Sequence, residues 1–191
     1  MEWNHLIAAL TGIGLAAACG FRVFVPPLLA GLAFRQGWLD APQALEWMAS
    51  TPALIALGLA TLVEVVAYKV PWLDNALDAI ASPTAVLAGL LLASGFCAES
   101  DSPFLWILSA IAAVGAAGGV QAATVATRAG STATTGGLAN PLVALVELFL
   151  AVVSTLAALL LPLLFAFVVV VALGLVAAWL WRRRRRKLGS A

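Results

Sequence analysis

The run from Pro141 to Trp181 carries a single charged side chain, Glu147, and no feature of the chain limits its fold more. A helix needs roughly 20 apolar residues to cross a hydrocarbon core of about 30 Å, and this run is about twice that length. Two helices are predicted within it, broken at Pro162, because proline is tolerated in a first helical turn and disrupts a helix interior. Four apolar runs precede it: Leu6–Phe34, Pro52–Val70, Ser82–Cys97 and Phe104–Thr127. The third starts earlier if the amphipathic stretch Asn75–Ala81 continues into it. Only 10% of the residues are charged and 63% are hydrophobic, against about 25% charged in ordinary soluble domains. The expectation is an all-α integral membrane bundle of about six spans. Residues 1–181 form one transmembrane domain, and residues 182–191 a basic cytoplasmic tail.

Orientation follows from the cations beside the spans, since cytoplasmic flanks carry the excess of Lys and Arg. Arg182–Arg186 and Lys187 supply most of the ten cations, and the rest of the chain is mildly acidic, with no surface for nucleic acid. Six spans with the tail inside place the N-terminus, Lys69 and Arg128 inside as well. The other side receives Arg35 with Asp40, Glu46, Glu99 and Asp101. A multi-pass protein of the bacterial inner (plasma) membrane with both termini cytoplasmic is predicted. Membrane lipids are its expected partners, anionic ones at the arginine run. The first run lacks a basic n-region and is too long for a cleavable signal, so it is expected to stay. The alternative reading of Leu6–Phe34 is a re-entrant hairpin. That would leave five spans, move the N-terminus outside and undo the repeat described next.

Two pairs of segments match within the chain. Leu15–Arg22 reads LAAACGFR and Gln121–Arg128 reads QAATVATR; Thr61–Val66 reads TLVEVV and Ala144–Phe149 reads ALVELF. An arginine-bearing segment precedes a glutamate-bearing one in both halves. An offset of three spans would make the halves, 1–98 and 104–181, a 3+3 inverted repeat of the kind found in transporters.

Charges inside spans are expensive, so each needs a partner or a purpose. Glu64 and Glu147 fall at similar depths of the second and fifth spans. Helical spacing extends them into stripes, Thr61–Glu64–Tyr68 on one and Asn140–Glu147–Ser154 on the other. Each glutamate either pairs with an arginine to hold the bundle or binds a coupling proton or cation. Arg22 precedes Pro26 and Pro27, which remove the helical partners of the Arg22 and Val23 carbonyls, so a broken first helix is expected. Broken backbone at membrane depth is tolerated where it is buried in protein or lines a cavity. The stretch RAGSTATTGGLANP sets Arg128, Ser131, Thr134, Thr135, Gly136, Gly137 and Asn140 ahead of a helix. It reads as a connector, or as a site for an anion at a helix N-terminus. Lys69, Asp74 and Asp78 form a third, cytoplasmic polar cluster, either helix-start acids in solvent or a cation entrance.

Cys19 and Cys97 have no cysteine or histidine at metal-ligand spacing, His5 is the one histidine, and no hydrolase or metalloprotease signature occurs. No catalytic role, metal or cofactor is expected. The stretches GFRVFVPPLLAGLA (Gly20–Ala33), E-x-x-x-x-K-x-P-x-x-D-x-x-x-D (Glu64–Asp78) and STATTGGLANP (Ser131–Pro141) together resemble a bacterial membrane family, domain of unknown function 4126. The resemblance covers roughly Leu10–Pro162 and implies a membrane protein defined by these polar positions; it names no activity. The functional expectation is a small transporter or channel, working as a homodimer, for an anionic or phosphate-bearing solute or lipid. Arg22, Arg128 and the Ser131–Asn140 stretch would bind substrate, and Glu64 and Glu147 the coupling proton or cation. The rival is a membrane scaffold or assembly factor whose buried ion pairs are structural.

Overall fold

A computed structural model describes residues 2–68, 73–98 and 100–162, with 164, 167 and 171. Lys69, most of the helix predicted after Pro162 and the arginine tail lie outside the described residues. The chain forms helices α1 (Glu2–Cys19), α2 (Val25–Arg35), α3 (Thr51–Ala67), α4 (Leu73–Cys97), α5 (Pro103–Thr135) and α6 (Asn140–Leu160), with a 3₁₀ segment, Gln43–Ala49, before α3. No strand occurs among the described residues. The expected helical membrane bundle is what the chain forms.

Prolines mark the helix starts. Pro26 and Pro27, Pro52, Pro103 and Pro141 occupy the first turns of α2, α3, α5 and α6, where a missing N–H costs nothing. Ser50 and Ser102 cap α3 and α5 by accepting from the N–H groups of Ala53 and Leu105. The amphipathic stretch does continue into the third apolar run, giving one 25-residue α4. α5 is longer than expected. It runs 33 residues, about 50 Å at 1.5 Å per residue, and stops where Gly136 adopts φ 64°. α4, α5 and α6 are each long and apolar enough to cross a membrane, and the 3₁₀ segment with α3, bent by 72°, makes a fourth candidate.

The first apolar run breaks at Gly20–Phe24, as the prolines require, and its two halves turn back on one another. A Cβ added to Gly12 would meet Ala93, and one added to Gly89 would meet Ala16, so α1 runs antiparallel to α4. α2 then returns: the Phe34 ring lies 6.1 Å from that of Phe96, at the end of α4 beside which α1 begins. The same end gathers Asn4, His5, Asp40, Phe96 and Leu159 around one cavity of about 770 Å³. The turn itself sits halfway along α5, where Gly20 meets the Ala117 carbonyl and Val120. Leu6–Phe34 therefore folds back as a helical hairpin, and neither of its helices is long enough to cross a membrane alone.

This overturns two expectations. α1 lies antiparallel to α4, and α4 lies antiparallel to α5, so α1 and α5 run in the same direction. The two arginine-bearing segments are not inverted copies. The start of α1 also lies at the end of the bundle opposite Arg128, not on the same side.

Small side chains hold the three central helices together. Gly12, Ala16 and Gly20 recur every fourth residue on α1 and its end, facing Gly89 and Ala93 of α4 and Ala113 and Ala117 of α5. Lipid tails are as apolar as leucine, so association in a bilayer depends on close backbone approach and packing. A Cβ on Gly20 would stand 2.6 Å from the Ala117 oxygen, a distance no side chain accepts. Nearer the hairpin mouth, Leu15, Phe34, Leu45, Met48, Leu92 and Leu159 close a second apolar cluster.

Candidate functional site

The hairpin turn delivers Arg22, Val23 and Phe24 to the interior, and four other helices bring charges to meet them. α3 contributes Glu64 and, just past its end, Tyr68; α4 contributes Asp78, α5 Arg128 and α6 Glu147. Arg22, Glu64, Tyr68, Asp78, Arg128 and Glu147 are all buried, and the two arginines are each 2% exposed. Three carboxylates and two guanidinium groups thus share one apolar bundle. Such burial costs several kilocalories per mole per charge unless partners compensate, so the pairing decides what the cluster is.

Glu64 accepts from the Val23 N–H at 2.8 Å and the Phe24 N–H at 3.2 Å, one to each carboxylate oxygen. These groups open α2, where the helix leaves donors unsatisfied and the dipole favours negative charge. Donors of this kind suit an anion. Here the carboxylate of Glu64 takes them.

Glu147 is shared by both arginines. Arg22 donates from Nη2 to Glu147 Oε2 at 3.3 Å and to the Ala144 carbonyl at 2.9 Å. Arg128 donates from Nε to Glu147 Oε1 at 3.1 Å, from Nη2 to Glu147 Oε2, and from Nη1 to Asp78 Oδ1. Tyr68 ties the two together. Both guanidinium carbons lie 4.0 Å from its ring centroid, and its hydroxyl donates to Asp78 at 3.0 Å. A desolvated aromatic face attracts cations this way.

The arginines are unequally satisfied. All three nitrogens of Arg128 hold carboxylates. Nε and Nη1 of Arg22 are buried and have no hydrogen-bond partner among the described residues. The side chain lines a cavity of about 290 Å³ between α3 and α6, whose other walls are Val65, Pro141, Ala144, Leu145 and Leu148. A second cavity of about 320 Å³, between α5 and α6, reaches Glu147 from the other flank.

Several expected neighbours stand elsewhere. Ser131, Thr134 and Thr135 belong to the last turns of α5, not to a loop ahead of α6. The Thr134 and Thr135 hydroxyls bond back to the carbonyls of Gly130 and Ser131, as residues four apart on a helix do. Gly136 and Gly137 form the left-handed turn. Asn140 opens α6, is buried, and donates to the Thr132 hydroxyl at 3.0 Å. The Thr134 and Thr135 hydroxyls thus turn back on their own helix, whereas the Arg128 side chain turns inward to Asp78 and Glu147. Asp78 likewise leaves the cytoplasmic cluster proposed for it and joins the centre; Lys69 and the Asp74 side chain lie outside what is described. Thr155, not Ser154, is the buried polar group farther along α6.

A family model described as domain of unknown function (DUF4126) matches residues 9–183. The chain belongs to that family. No curated protein and no solved structure matches it. In this DUF4126 chain the matched region takes in the hairpin turn and every member of the charge cluster, so the cluster belongs to the family domain itself.

Proposed function

We propose that this membrane protein is a small transporter for an anionic or phosphate-bearing solute or lipid, coupled to protons, with Arg22 as the anion-binding residue and Glu147 as the coupling acid. The observation that carries the proposal is the unequal satisfaction of the two arginines around one carboxylate. Arg128 holds Glu147 from one side, whereas Arg22 keeps donors for a further acceptor. Protonating Glu147 removes its claim on Arg22 and strengthens the hold of that guanidinium on an incoming anion. One proton and one negative charge then occupy the site together, which keeps the buried charge constant. Catalysis plays no part.

Glu64 has a different duty from the one its sequence position suggests. It fixes the hairpin turn through two backbone N–H groups, and with it the position of Arg22. Arg128, Asp78 and Tyr68 position Glu147. Placing Lys69 and Arg128 on the cytoplasmic side, as the positive-inside rule favours, sets the cluster in the cytoplasmic half of the inner membrane. The cavity at Asn4, Asp40 and Phe96 then opens on the other side. So few helices make a thin wall around a pathway, which favours a homodimer.

The rival reading, a structural scaffold, draws support from the full pairing of Arg128. Reconstituted protein separates the two. With an inward pH gradient, radiolabelled inorganic phosphate, acetate and oleate are offered to proteoliposomes, and accumulation above protein-free vesicles is expected for at least one. Glu147→Gln is expected to keep exchange and lose gradient-driven accumulation. No flux of any of the three, together with an Arg22→Leu/Glu147→Leu variant as stable as the parent, would establish the scaffold.

A further inference from the structure

The composition of the cavity between α3 and α6 points to the chemical class that reaches Arg22. α3 and α6 are not among the closely packed helix pairs. Between them the cavity wall is apolar except for Arg22. The flanks beside its mouth, Leu62 and Val66 on α3 and Leu145 and Phe149 on α6, are exposed apolar side chains of the kind that face acyl chains in a membrane helix. A wholly aqueous ion would lose its hydration in such a cleft and gain a single cation. A molecule with one acidic group and a hydrocarbon tail satisfies both parts. Its anion would meet the Arg22 guanidinium, two of whose nitrogens have no hydrogen-bond partner among the described residues, and its tail would lie along Val65, Leu145 and Leu148.

We infer that the α3–α6 cavity is a lateral binding site for a bilayer-derived amphiphile with an acidic head group, such as a long-chain carboxylate, held at Arg22. The inference rests on Arg22 being the anion-binding residue and names the substrate class it takes. The volume of about 290 Å³ accommodates a head group and the first several methylenes, not a whole lipid. The remainder of the tail stays in the membrane. Arg22 sits at the hairpin turn, halfway through the bundle, so the head group must leave the interface and move inward to reach it. Neutralisation of Glu147 by a proton would favour that step.

Equilibrium binding of radiolabelled oleate to the full-length protein in neutral-detergent micelles tests the site, with inorganic phosphate as the second probe. Saturable oleate binding is expected, weakened at least tenfold by Arg22→Gln. Leu145→Trp, which fills the mouth and leaves every charged group in place, is expected to weaken it comparably. Ile111→Trp, at an exposed apolar position on α5 away from the cavity wall, is expected to leave it unchanged. Oleate affinity that survives both Arg22→Gln and Leu145→Trp overturns the inference. So does inorganic phosphate binding as tightly as oleate, which would mark the site as aqueous. Oleate binding without pH-driven flux of any probe leaves this site standing and removes the coupled transporter. Flux of phosphate or acetate that Leu145→Trp does not alter does the reverse.

Discussion

Arg22 and Arg128, which come from a helix break and a helix interior in different halves of the chain, donate to the same oxygen of Glu147. One carboxylate therefore balances two cations, and removing its charge must be felt by both. Glu147→Gln keeps the shape of the side chain and offers one carbonyl oxygen where two charged oxygens stood. Arg128 retains Asp78, so the bundle is expected to remain folded, with a lower midpoint in thermal unfolding followed in detergent. Glu147→Leu leaves no acceptor at all and is expected to be worse than Glu147→Gln. A Leu variant as stable as the Gln variant would contradict the shared pairing.

Arg128 is the charge whose loss costs most. Arg128→Met takes the cation from Asp78 and leaves Glu147 to Arg22 alone, a change of about 3–5 kcal/mol in comparable buried pairs. Adding Asp78→Leu is expected to restore part of that loss, because a buried negative charge goes with it. The sign of the coupling in a double-mutant cycle, read by unfolding in detergent, decides the point.

Tyr68 does two jobs that substitution can separate. Tyr68→Phe keeps the ring under both guanidinium groups and loses the hydroxyl bond to Asp78, at a cost of about 1 kcal/mol. Tyr68→Leu also loses both ring contacts, each worth up to about 2 kcal/mol when desolvated. The leucine variant is therefore expected to unfold at clearly lower temperature than the phenylalanine variant. Equal midpoints would remove the ring from the account.

The hairpin predicts a labelling pattern. Cysteines at His5 and Asp40 are expected to react with a membrane-impermeant maleimide from one side of the membrane, and one at Leu138 from the other. The native Cys19 and Cys97 are buried and give little background. Labelling of the His5 and Asp40 positions from opposite sides would mean that the first run crosses.

Close approach at Gly20 can be compared with an open position on α5. Gly20→Ala drives a Cβ into the Ala117 carbonyl and is expected to lower stability by about 1–3 kcal/mol. Gly115→Ala has nothing within 4 Å of the added methyl and is expected to be neutral or slightly stabilising through helix propensity. Thermal unfolding of both variants checks the contrast.

Much of the cluster was legible because charge in an apolar run is costly enough to stand out. Arg22, Glu64 and Glu147 were found that way, and the helical stripe through Glu64 already contained Tyr68. The break at Arg22 was legible from two prolines. The direction of the chain after that break was not, because hydrophobic length alone cannot distinguish one kinked crossing from a hairpin. A signal was available in the four-residue spacing of Gly12, Ala16 and Gly20, which marks a face packed on protein and not on lipid. Asp78 was misassigned because helix-start acids in solvent look the same in sequence as one turned inward. The Ser131–Thr135 stretch looked like a loop because small polar residues favour turns. On α5 their hydroxyls bond to carbonyls of their own helix, and the helix continues through them.

The turn that carries Arg22 also dictates an order of assembly. The N–H groups of Val23 and Phe24 find their acceptor on α3, and the Arg22 guanidinium finds its carboxylate on α6, both made later than the hairpin. Hydrocarbon offers no substitute partner in the interval. The hairpin is therefore expected to wait near the interface and seat its turn only after α3 and α6 arrive, so a segment made before them reaches its final depth after them.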